Sequence, residues 1–319
     1  MRYLIISGLL ILWSVQSNAQ ELYVFSEPAS NLPARSLSVK IKNHFVTRDN
    51  IYGRFSNRLM PQVFFGVHKS LMLRAGISVA NMHTPDTRYE SFNVYAKYRL
   101  VSNDDIHRHF RLAVYSEYSE TRIPFHYDEI TLMGDKGGVE AGLVATQLWH
   151  KFALSGTIGH TQVLHKSRKD NVIYIPERGY QSLNYSLSGG LLILPKEYSD
   201  YKQTNLNLYF EIIGQQLLDK KAGFLDLAPA VQLIFGSTTK LNMGYRFQLN
   251  GSMQRMASNS WLISLERTFL SAFKKKQTNK CRAQNRTDHI DFFIPRVYCR
   301  DQRATSLLHE PDGRITFYC

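Results

Sequence analysis

The stretch that most constrains the fold is Leu225–Leu249, LDLAPAVQLIFGSTTKLNMGYRFQL. Leu225, Leu227, Val231, Leu233 and Phe235 share one parity, and Asp226, Ala228, Ala230 and Gln232 the other. After Gly236-Ser237-Thr238-Thr239, Leu241, Met243, Tyr245, Phe247 and Leu249 alternate with Lys240, Asn242, Gly244, Arg246 and Gln248. Successive strand side chains point to opposite faces, so this is a hairpin with one oily and one wet face. The Gly-Ser-Thr-Thr run supplies its turn. Pro229 removes a ladder donor, which predicts a bulge or local break there.

The pattern recurs along the body. Leu37, Val39, Ile41 and Phe45 alternate with Ser38, Lys40, Lys42 and His44. Phe92, Val94, Ala96, Tyr98 and Leu100 alternate with Asn93, Tyr95, Lys97 and Arg99. Similar runs centre on residues 75, 113, 143, 156, 187, 209 and 264. The expectation is an all-β fold, a transmembrane antiparallel β-barrel of about 12 strands of roughly ten residues each. Inner turns fall near 68–70, 102–107, 149–151, 195–203 and 236–239. Longer outer loops fall near 48–58, 81–90, 120–137, 164–180, 214–223 and 250–259. Short turns on one side and long loops on the other are the outer-membrane arrangement, and an even strand count leaves both termini in the periplasm.

Strand charges lie opposite the oily row, with aromatics near the strand ends at Phe45, Tyr98, Trp149, Phe235 and Trp261. In a sandwich the oily row would be the core; in a barrel it faces lipid, and the signal peptide of residues 1–19, the loop asymmetry and these aromatics select the barrel. The cations Arg74, Lys97, Arg99, Arg111 and Arg246 and the carboxylates Glu117, Glu140, Glu211, Asp226 and Glu266 are then lumen or pore-lining candidates. They either line a narrow charged pore or pair across the lumen and close it.

Residues 1–19 have a basic start at Arg2, an apolar run over Tyr3–Val15 and small residues before Gln20. This is the form of a cleaved signal peptide. Residues 20–34 are expected as an N-terminal periplasmic segment, 35–273 as the barrel, and 274–319 as a disordered or aberrant, frameshifted tail. Cys281, Cys299 and Cys319 all lie in that tail and match no zinc spacing. The net charge of +13 leaves a modest +7 for residues 3–273. That suits anionic solutes or lipopolysaccharide phosphates, and export argues against nucleic acid.

The stretches 21–40, 145–156, 181–190 and 227–249 resemble Gram-negative outer-membrane barrels of Bacteroidota. The last is loosely similar to the closing strands of barrels grouped as aromatic-degradation transporters. The resemblance spans about residues 21–273 and implies cell-outer-membrane location, contact with lipid, lipopolysaccharide and the barrel assembly machinery, and no enzyme activity, cofactor or functional residue set.

An N-terminal plug domain is not evident. The predicted function is a passive channel or transporter for small solutes, with a closed structural or envelope-interaction barrel as the alternative and an outer-membrane hydrolase as the weakest. His160 and His165 form no clear Ser–His motif, so no catalytic residue is assigned. His44, His68, His107, His109 and His150 show no third-ligand spacing, so no metal is assigned. Asp104-Asp105 is expected to serve a turn. The carboxylate-bearing loop His126-Tyr127-Asp128-Glu129 to Met133-Gly134-Asp135 is expected as a mobile external loop, with Ca²⁺ binding or a fold into the pore as the other readings.

Overall fold

The structure, a computed structural model, describes residues 23–48, 50–105, 108–123, 127–164, 179–195 and 203–273. The expected signal peptide and the tail, with its cysteines, lie outside these, as do His107, His126 and His165. Twelve strands among the described residues form a closed antiparallel barrel in which each strand pairs with its sequence neighbours. In chain order they are β1 Leu37–Val46, β2 Ser56–Gly66, β3 Leu71–Ala80, β4 Arg88–Asp104, β5 Arg108–Thr121 and β6 Gly138–Trp149. Then follow β7 Phe152–Val163, β8 Gln181–Leu194, β9 Asn205–Leu217, β10 Gly223–Phe235, β11 Thr239–Gly251 and β12 Asn259–Phe269. The seam is β1 against β12, from Leu37 opposite Phe269 to Phe45 opposite Trp261. One rim carries both chain ends of the barrel and the short turns; it is called the terminal rim below, and its opposite the loop rim.

The solvent logic of a soluble protein is inverted. Ile41, Leu59, Ile77, Val94, Leu143, Ile158, Leu187, Phe210, Met243 and Leu265 are exposed on the outer surface. The largest fully buried side chains include Arg74, Lys97, Lys240, Gln62, Gln232 and Glu211. A continuous apolar exterior around a charged interior is stable only when the exterior meets hydrocarbon, so this is a membrane barrel of the outer-membrane type. Closure removes the free edges whose unpaired backbone groups lipid cannot satisfy.

The strands run further than their sequence signals. Alternation predicted a turn from Ser102, but β4 extends to Asp104 and β5 starts at Arg108. Asp104 accordingly ends a strand rather than making the turn: it accepts from Arg111 and pairs with His109, both at 3.0 Å. The proline expectation is met on one side. The ladder from β10 to β9 continues through Pro229, whereas the ladder to β11 lapses at Ala228 and Pro229. The register shift itself falls between Leu225 and Asp226.

An arginine on the lipid-facing row near mid-strand tests the inversion. Ile41→Arg is expected to lower stability by about 2–4 kcal/mol, read as a fall in unfolding midpoint for protein refolded in lipid bilayers. A Ser38→Ala change on the opposite face leaves lipid contact unaltered, so a loss at Ile41 no larger than at Ser38 would contradict the orientation.

Candidate functional site

The lumen is filled from both rims. At the terminal rim, residues 23–35, which include the described part of the expected N-terminal segment 20–34, thread inside the barrel. Pro28 and Pro33 keep the segment from folding on itself, so its main chain must find partners on the wall. Glu211 of β9 accepts the N–H groups of Val24, Phe25 and Ser26 at 2.8–2.9 Å. Thr146 Oγ1 accepts from Ala29 at 2.8 Å. Lys97 Nζ donates to the carbonyls of Pro28 and Ser30 at 2.6 and 2.8 Å, and Arg111 donates to Ser30 Oγ.

Packing completes the dock. Ala29 and Leu32 join Phe64, Met72, Tyr95 and Tyr115 in one cluster, and Tyr23 and Val24 join Leu148, Tyr209 and Leu262 in another. Two wall glycines are required by this close approach. A Cβ on Gly66 would overlap the Pro33 carbonyl, and one on Gly244 would overlap the Phe25 ring. No globular plug domain is present among the described residues, yet this short segment occupies the place of one.

At the loop rim, residues 127–137 fold into the lumen. This overturns the mobile external loop and meets the reading of a fold into the pore. Tyr127, Ile130, Leu132 and Lys136 are buried. Gln215 Oε1 accepts from the Ile130 N–H while its Nε2 donates to the Ile130 carbonyl, at 2.9 and 2.8 Å. Two ionic staples hold the loop. Arg58 binds both Glu90, at 2.6 Å, and Asp135, which His83 also contacts at 3.3 Å. Arg255 bridges Glu129 and Asp226, and Arg246 contacts both as well. Burial pushes the Asp135 carboxyl up, but Arg58 and His83 outweigh it and hold it well below the usual carboxylate range. Glu129 is lowered in the same way by Arg255 and Arg246 against its burial. Asp135 and Glu129 therefore stay charged down to acid pH.

Between segment and loop lies a chamber of about 340 Å³. Phe25, Ser26 and Glu27 line it from the terminal side, and Glu129–Met133 and Asp135 from the loop side. Its wall carries Lys42, His44, Arg74, Tyr95, Glu117 and Glu140 beside Met60, Val144, Ile213 and Leu262. Arg74 donates to Glu117 at 2.9 Å, stacks 4.3 Å over the Tyr95 ring and lies 3.6 Å from Glu27. Glu140 accepts from Tyr115, Thr161 and Asn184 at 2.7–2.9 Å. Burial pushes the Glu27 carboxyl up, but Lys40, Lys97, Arg74 and Lys42 together bring it from 4.5 to about 2.

The ten lumen candidates are thus divided by height. Arg74, Glu117, Glu140 and Arg246 line the chamber. Lys97, Arg111 and Glu211 hold the N-terminal segment, and Asp226 holds the loop-rim staple. Glu266 binds Lys240 at 3.1 Å and Ser38 at 2.9 Å below the segment. Arg99 stands beside the strand irregularity near the terminal rim and lies outside the chamber. Arg58, Glu90 and Glu27 were not singled out. Arg58 keeps parity with Met60 and Gln62, a signal obscured by assigning 48–58 to a loop. Glu90 is the extra residue where the β3–β4 register shifts, so it points inward beside Ser91 and breaks the alternation.

The histidines are dispersed: His44 lines the chamber, His68 and His150 sit in terminal-rim turns, and His109 pairs with Asp104. His160 is exposed on the outer face of β7, which leaves the hydrolase reading without it.

No protein-family model and no curated protein matches the chain. Solved structures similar to it include an outer membrane channel from Pseudomonas putida F1, at 13% identity over 78% of this chain and 100% of that one, TM-score 0.49. The CymD monoaromatic hydrocarbon channel is 10% identical over 73% of this chain and 87% of that one, TM-score 0.35. Outer membrane phospholipase A from Escherichia coli is 7% identical over 81% and 96%, TM-score 0.37. Values this low carry no functional argument, and the barrel assignment rests on the chain's own strand pairing.

Two outcomes follow from the dock. Glu211→Ala strips the acceptor from three main-chain donors, each costing about 1–3 kcal/mol if left buried and unpaired. Residues 23–30 are expected to leave the wall, seen as lost hydrogen-exchange protection at Val24–Ser26 while strand amides stay protected. Glu27, with its lowered folded pKa, stabilises the docked segment fully above pH 4.5 and loses that contribution as pH falls toward 2. Glu27→Gln is expected to remove this acid sensitivity from the same exchange measurement.

Proposed function

We propose that the protein is an outer-membrane channel for small solutes whose resting state is closed. The observation that carries this reading is the chamber at mid-barrel, bounded by two non-covalent plugs. A barrel serving only as a scaffold has no need for a cavity of about 340 Å³, because a void forfeits the contacts that packing would supply. In this reading the terminal rim faces the periplasm, so residues 23–35 guard the periplasmic mouth and residues 127–137 the outer mouth. The apolar belt meets lipid, β12 ending at Phe269 supplies the closing aromatic for barrel assembly, and exposed Arg48, Arg88 and Arg122 at the loop rim suit lipopolysaccharide phosphates.

The closed envelope-interaction barrel is the second reading, and the paired charges on both plugs favour it. Conductance separates the two. Wild-type protein in a planar bilayer is expected to pass little or no current. Deletion of residues 23–33 combined with deletion of residues 128–136 removes both plugs, and is expected to give discrete ion-conducting steps. Absence of current from that variant, with the barrel shown to be folded by its heat-dependent shift on a denaturing gel, would overturn the channel reading in favour of the closed barrel.

A further inference from the structure

One buried lysine in the chamber has no direct ion-pair or hydrogen-bond partner among the described residues. Lys42 of β1 is 6% exposed and lines the chamber. Its cross-strand neighbours are Met60 on β2 and Ser264 on β12, both uncharged, and the Ser264 hydroxyl already accepts from Asn242. Among the described residues the Lys42 ammonium makes no hydrogen bond or ion pair. The other buried lysines do: Lys40 and Lys240 meet Glu266, Lys97 binds two carbonyls, and Lys136 donates to the Tyr127 carbonyl.

The carboxylates around the chamber are otherwise engaged. Glu117 is taken by Arg74 and Asn93, Glu140 by three neutral donors, Glu129 by two arginines and Asp135 by Arg58. Glu27 faces Arg74 and is a counter-charge shared among several cations. Two further polar groups point the same way. His44, the next inward residue along β1, lines the chamber and makes no hydrogen bond among the described residues. Thr157 Oγ1, on β7, is buried and without a partner. A cation taken from water without a partner is costly, and an anionic occupant offsets that cost.

We propose that the chamber binds a small organic monocarboxylate, its carboxylate on Lys42 beside His44 and its apolar body against Phe25, Met60 and Leu262. The size agrees, since about 340 Å³ lies within the range of small-molecule pockets. A single ammonium without a direct partner selects a single negative charge, and the apolar lining selects a short hydrocarbon over a sugar. The proposal deepens the channel reading and rests on it for the route by which the ligand arrives.

The test is calorimetric titration of the full-length protein in detergent with hexanoate and with its neutral isostere hexanamide, each corrected for dilution into protein-free micelles. Hexanoate is expected to bind about tenfold or more tightly than hexanamide, the usual worth of a charged hydrogen bond. Lys42→Met is expected to bring hexanoate down to the hexanamide level, and Lys42→Arg to preserve the preference. Equal affinities in the wild type overturn the proposal, and they do so whether or not Lys42→Met folds. Undiminished hexanoate binding by folded Lys42→Met overturns it too. Binding without any current in the plug-deleted variant removes the channel reading and leaves this site standing. Current without carboxylate preference removes the site alone.

Discussion

The structure depends on one constraint: a sheet in hydrocarbon must satisfy all its backbone polar groups from within. The β1–β12 seam meets it by closing the ring, with Lys40 opposite Glu266 and Ile41 opposite Leu265 across the join. Closure with period-two side chains then dictates everything inside. The oily parity is taken by lipid, so the other parity, with its lysines, arginines and carboxylates, is forced into a narrow space. Those charges have to meet one another, meet main chain, or hold water and solute.

The lumen uses the first two solutions at different heights and leaves a cavity between them. Below, charges meet main chain: Glu211 and Lys97 treat the N-terminal segment as though it were a further strand, binding its N–H and C=O groups. Above, charges meet charges in the two staples around Arg58 and Arg255. A buried ion pair gains little over an apolar pair but loses heavily when one partner is removed. The staples therefore fix the position of residues 127–137 more than they add to stability. Between them Lys42 and His44 have no such partner, and that is where the cavity lies.

The sequence showed the barrel well and the plugs poorly, for a physical reason. Alternation is a local signal with a fixed period, so Leu241–Leu249 or Phe92–Leu100 declares its two faces without reference to any other part of the chain. The parity of Lys42, Arg74, Lys97 and Glu211 was legible in the same way. Their partners were not. Glu211 lies 187 residues from Val24 in sequence and Arg255 lies 126 from Glu129, and no local pattern encodes such pairings. Residues 23–35 have no periodicity because their hydrogen bonds go to side chains of five different strands, β4, β5, β6, β8 and β9. Glu90 is hidden by an inserted residue that shifts the phase, and Arg58 by its place at the end of the expected loop 48–58.

The two plugs also differ in how they could give way. The N-terminal segment is held through its backbone by side chains fixed on strands, and its apolar anchors are few: Tyr23, Val24, Ala29 and Leu32. Such a dock can be lost in steps, amide by amide, without disturbing the wall. The loop is joined to its own barrel at both ends, through β5 and β6, and its staples share partners: Asp226 and Glu129 each serve both Arg246 and Arg255. Breaking one contact leaves the others in place, so the loop must leave as a unit or not at all. The asymmetry makes the segment at the terminal rim the softer of the two barriers. It also makes the Lys42 chamber, which that segment floors through Phe25, Ser26 and Glu27, easier to reach from the terminal rim than from the loop rim.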